Sequence, residues 1–238
     1  MTNPNYQQPA SSLASGVAAD ERVTAFLSKV YSWMFLGLAL TTVVAYVVAG
    51  SPALVQALLV NRWVFYGLMF AELGLVWWLS ARVATLAAAT AATGFAIYSA
   101  LTGITLSVIL LVYTQGSIFS AFLTAAAMFG SLAIFGTVTR RSLAGVGQFA
   151  FMGLIGLIVA SVVGLFWQND TLQFVISVVG VIVFTGLTAW DAQKLKAMAL
   201  ALPEGQAGSY AIVGALTLYL DFINLFLMLL RFMGNRRS

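Results

Sequence analysis

Cysteine and histidine are both absent from the 238 residues. Their absence removes histidine general bases, cysteine–histidine nucleophile pairs, thiolate metal sites, haem ligands and redox disulfides. It leaves the redox compartment open. Charge is scarce as well, at 8% of residues, and the eleven basic side chains are scattered through short loops. That scatter argues against a nucleic-acid partner despite a net charge of +4 and a pI near 9.6. No EF-hand loop, Walker sequence or glycine-rich dinucleotide fingerprint occurs. No cofactor and no enzyme activity are expected.

What the chain has is apolar surface. Hydrophobic residues make up 61% of it, and the mean hydropathy is +0.98. That exceeds what one soluble core can hide and implies a lipid bilayer as the immediate partner. The apolar runs are continuous, whereas membrane strands alternate apolar and polar positions, so the expected class is an all-α polytopic membrane protein.

Spans are counted against a hydrocarbon core of about 30 Å, or about 20 helical residues. Residues 1–22 lack periodicity and are expected to form a disordered polar tail, leaving 23–238 as a single transmembrane domain. No cleaved signal peptide is expected, because the start is not basic and the first apolar run, 26–49, is too long for one. That run is the first span. Arg62 and Arg82 bracket 19 residues, the second. Residues 83–139 carry no charge over 57 positions, about 85 Å as one helix. They must fold back, with the turn expected at Tyr113–Ser117. A fifth span is expected within 148–166, a sixth within 171–192 and a seventh within 210–233, with Trp167–Asp170 as the turn between the fifth and sixth. All four prolines fall outside these spans, as an interior proline would remove a helix hydrogen bond. Gly156, Ala160 and Gly164 recur every four residues, which predicts a close-packed face on the fifth span.

Seven spans place seven basic residues on the amino-terminal side and four on the other, favouring a cytoplasmic amino terminus. A re-entrant last segment would give ten against one, so the charge rule alone also fits six spans.

Three acids lie within these apolar segments: Glu72, Asp191 and Asp221. A carboxylate at the centre of a membrane helix costs about 2.5–3.5 kcal/mol on insertion scales and usually marks an ion path, a proton site or a buried partner. On the last span Gly214, Thr217, Asp221, Asn224, Met228 and Arg231 follow at helical spacing, forming one polar stripe that should face protein or water. Asp191 and Asp221 sit on consecutive helices. If their carboxyls meet, the two share a proton and titrate as a pair. The competing reading of Asp191 is a salt bridge to Lys194 at i+3. Glu72 lies at mid-depth and could line the same path, with Arg82 as a counter-ion or a snorkelling topology arginine. Carboxylates with Asn224 and backbone carbonyls form an oxygen-only set that suits calcium or protons better than zinc or copper.

The segments GALTLYLDFINLFLMLLRFMG (214–234) and FTGLTAWDAQKLK (184–196) resemble those of the Bax inhibitor family, the transmembrane Bax-inhibitor-motif proteins. FLSKVYSWMFLGLALTTVVAYV (26–47) and FAELGLVWW (70–78) extend the resemblance over nearly the whole length. It implies seven transmembrane helices, with two groups of three around a central carboxyl-terminal helix. It also implies a pH-sensitive calcium leak governed by a hydrogen-bonded aspartate pair, carried over to Asp191 and Asp221. Glu72 matches an acid in the second helix, and Arg82 only approximately matches the arginine after it. Bacterial relatives are also associated with a membrane-bound protease, so a regulatory partner of such a protease is the alternative function. A secondary transporter ranks behind these, since proline-interrupted helices are missing, and an intramembrane protease ranks last. The expected location is the bacterial inner membrane.

Overall fold

A computed structural model describes residues 8–60, 62–167, 169–203 and 206–237. These residues form eight helices: α1 (Gln8–Ala49), α2 (Pro52–Val60), α3 (Arg62–Ala81), α4 (Ala88–Val112), α5 (Gln115–Val138), α6 (Ala144–Phe166), α7 (Asp170–Ala201) and α8 (Ala207–Met233). All but α2 are long and apolar enough to cross a membrane, which makes seven spans. At 27 residues α8 is about 40 Å long, a full crossing rather than a re-entrant segment. The polypeptide therefore leaves the membrane on the side opposite to its entry.

The helices sort into two groups. Helices α1, α3 and α4 pack together, α5, α6 and α7 do likewise, and α8 touches both groups. Two-thirds of its span, 67%, is buried, against 6% for α3, so α8 is the axis of the bundle and α3 its outermost member. Because lipid tails are as apolar as leucine, contact rests on close packing rather than on the hydrophobic effect. Small residues make it possible. A Cβ on Gly103 of α4 would meet the Thr41 carbonyl of α1 at 2.7 Å, and one on Gly136 of α5 would overlap the Ala189 backbone of α7.

Three expectations about the elements change. Residues 8–22, expected as tail, continue α1, while residues 1–7 lie outside the described residues. Ala10, Ala14, Ala18 and Ala19 are strong helix formers, and extending an established helix needs no new nucleus. The seventh helix runs to Ala201 rather than stopping near 192, because a helix need not end where the hydrocarbon does. Its extra turns clamp the neighbouring loop: Lys196 Nζ donates to the Thr137 carbonyl at 2.7 Å, and Gln193 bridges the Arg141 carbonyl and the Leu143 amide. Finally, the expected small-residue face is covered only in part: Gly164 meets Gln173 of α7 and Ala160 packs against the core, whereas Gly156 faces open space, and α6 also approaches α7 through Gly147, under the Trp190 ring, and Gly153, beside Val183. Spacing found residues that pack but not how far along α6 the contact extends.

The carboxyl-terminal segment returns to the α4–α5 turn. The Asn235 carbonyl accepts from Thr114 N at 3.1 Å, and Arg237 N donates to the Val112 carbonyl at 2.9 Å. Tyr113 and Arg236 form an isolated antiparallel bridge.

Candidate functional site

Asp191 on α7 and Asp221 on α8 come together. Both are buried, at 7% and 5% exposure, and their carboxyl groups lie within hydrogen-bonding reach of each other. Antiparallel packing of the two helices through Gly214, against Leu195, and Gly180, against Met228, fixes this meeting. A carboxylate only accepts, so two can share a hydrogen bond only with a proton between them. Asp221 Oδ2 is buried and receives no hydrogen bond from a hydroxyl, amide or backbone donor among the described residues. The geometry therefore asks for one proton held by the pair. Neighbouring Thr188 cannot supply a donor, because its hydroxyl is directed to the Phe184 carbonyl at 2.7 Å.

Lys194 is the nearby cation: its ammonium sits over the Trp190 ring, 5.1 Å from the centroid, and its charge reaches Asp191 without the direct ion pair of the competing reading.

The other residues singled out from sequence lie elsewhere. Thr217 and Asn224 hydrogen-bond their own helix, at the Val213 and Leu220 carbonyls, and donate to neither aspartate. Arg82 is exposed just beyond α3. Its carbonyl accepts from the Thr85 hydroxyl and two amides, and it makes no ion pair with an acid among the described residues. Of its two readings, the exposure fits a topology arginine rather than a counter-ion, because α3 lies at the rim of the bundle. Glu72 accepts from Thr105 Oγ1 at 2.6 Å, joining α3 to α4.

Glu72 belongs to a second polar cluster that composition did not reveal. Tyr219, on α8 near Asp221, is fully buried, and its hydroxyl lies 2.6 Å from Thr41 Oγ1, which also reaches the Ser99 carbonyl at 2.8 Å. Tyr98 and Phe95 stand edge-on to the Tyr219 ring at 5.8 and 5.7 Å, and Thr102 lies beside both tyrosine hydroxyls. A tyrosine at mid-span was the available signal, since tyrosine in membranes favours the interfaces and a buried hydroxyl needs a partner.

Among the described residues no group of three or more acidic side chains is placed to hold a metal. Calcium takes six to eight oxygens, so two carboxylates fit passing contact with a hydrated ion rather than a resident site. On the carboxyl-terminal side a cavity of about 560 Å³ lies between α4, α7 and α8, lined in part by Asp170, Gln173, Ser177, Arg231 and Arg236. Farther along α7 toward Asp191, Met228 seats against Gly180.

These features define a seven-helix membrane protein organised around a central helix that carries one half of a buried carboxyl pair. A family model described as "Inhibitor of apoptosis-promoting Bax1" matches residues 23–238, and the chain belongs to that family. It is similar to the inner membrane protein YbhL of Escherichia coli K12, at 48% identity over 215 residues, covering 89% of this chain and 92% of that one. An uncharacterized protein of Deinococcus radiodurans is 42% identical over 219 residues, 92% and 93% of the two chains. The protein RP147 of Rickettsia prowazekii is 39% identical over 235 residues, 98% and 99% of the two chains.

Proposed function

We propose that the protein is a cation leak pathway of the bacterial inner membrane, with calcium as its cargo, controlled by protonation of Asp191 and Asp221. The meeting of these two carboxyls inside an apolar bundle carries the reading. A cation needs ionised oxygens, whereas a proton between the carboxyls removes a charge and ties α7 to α8. Acidification therefore weakens calcium binding at the pair. The cavity beside Asp170 and Ser177 is the mouth on the carboxyl-terminal side, and Met228 on Gly180 closes the way inward. The positive-inside rule puts the amino terminus in the cytoplasm, so this mouth faces outward.

Calcium flux into proteoliposomes between pH 5 and 8 tests the proposal. Expected is a pH-dependent flux that loses its pH dependence in the Asp191→Asn, Asp221→Asn double variant. Flux indifferent to both substitutions would reject it. So would absence of flux in a protein that copurifies with a membrane protease.

A further inference from the structure

The geometry points to a binding site for one phospholipid acyl chain in the cleft between the two helix groups, on the carboxyl-terminal half of the bundle. Helices α1 and α5 border this cleft without forming a packing seam, and α4 and α8 provide its wall and floor. It encloses about 480 Å³, within the usual range of about 300–1,000 Å³ for a small-molecule site.

Its lining has a direction. Leu38, Leu106, Phe122 and Phe222 form the deep end, near mid-membrane, while Tyr46 and Gln115 stand at the mouth. Tyr46 is 71% exposed near the end of α1, and Gln115 opens α5 beside the connecting turn. Apolar walls below with an amphipathic tyrosine and an amide above match a lipid, whose chain is buried and whose ester and headgroup region is wet. From Leu38 to Tyr46 is eight residues, about 12 Å of helix. That is close to one leaflet's half of a hydrocarbon core of about 30 Å. A chain entering from the leaflet beside Tyr46 would thus reach the floor without crossing the midplane.

The floor matters for function. Thr41 lines the cleft and is the residue whose hydroxyl meets Tyr219. A bound chain covers that buried cluster with hydrocarbon and fills the gap between the helix groups, where packing alone leaves a void.

The chain's lack of cysteine makes the test clean. Single-cysteine variants of the full-length protein, Ile118→Cys in the cleft and Val43→Cys on the 60%-exposed outer face of α1, are labelled with a bimane fluorophore. Each is reconstituted with phosphatidylethanolamine carrying brominated chains and then diluted into detergent. Bromine quenching at residue 118 should be lost about tenfold more slowly than at 43, the mark of a retained rather than an annular lipid. Native mass spectrometry should find one phospholipid on the protein. Ala45→Phe, which fills the cleft from α1, should abolish both signals, and Leu38→Trp, which fills its deep end, serves if the first variant does not fold. Equal loss at the two positions overturns the proposal. So does a bound species with the mass of detergent or free fatty acid, or retention unaffected in a folded cleft-filled variant.

Discussion

At the scale of residues, the chemistry divides into two clusters that share α8. Asp191 and Asp221 hold one, and Tyr219 with Thr41, near Glu72, the other. Replacing Tyr219 by phenylalanine should keep the ring packing but lose the hydroxyl contact, lowering stability in detergent by about 0.5–1.5 kcal/mol. Thermal unfolding compared with the Thr41→Val variant checks this, and the double variant should cost less than the sum of the two because both remove one interaction. The aspartate pair was legible because charges in apolar segments stand out and consecutive helices are usually neighbours. The Glu72–Thr105 bond was not, since Thr105 lies in a stretch without any charge that would single it out. Lys194 shows the limit of spacing: i+3 correctly set its charge near Asp191, but not that the ammonium would rest on the Trp190 ring one turn earlier.

At the scale of elements, the seams of small residues decide how near the helices come. Gly136→Val should destabilise the fold by about 1–3 kcal/mol, because the added carbons meet the Ala189 backbone, which cannot yield by a rotamer change. Gly156→Ala, facing open space, should be neutral or slightly stabilising through helix propensity. Thermal denaturation of the two variants in one detergent separates them. Met228→Ala removes the side chain seated on Gly180, so calcium flux should rise at every pH while its pH dependence survives. Unchanged flux would place the constriction elsewhere. Spans were readable from their length between charges, whereas their ends were not. The polar residues that mark the end of hydrocarbon, such as Gln193 and Lys196, are also good helix formers that carry α7 onward to clamp the α5–α6 loop.

At the scale of the whole molecule, α8 joins two three-helix groups, and an odd number of spans separates the ends of the bundle. Cysteines introduced at Ser51 and Ser142 should react with an impermeant maleimide from opposite sides of the membrane, and one at Asn235 from the same side as Ser51. The polar stripe on α8 hinted at its central place, yet its other faces are buried too, a consequence of packing that hydropathy cannot distinguish from exposure to lipid. In the proposed pathway, control rests on a single proton shared by Asp191 of α7 and Asp221 of α8. Infrared difference spectroscopy across the pH range in which flux changes reports that proton as the carbonyl stretch of a protonated carboxyl group. The predicted result is such a band in the unmodified protein, altered in Asp191→Asn and in Asp221→Asn, where one buried carboxyl remains, and lost only when both are replaced. A band that survives both substitutions, or none at any pH, would contradict it.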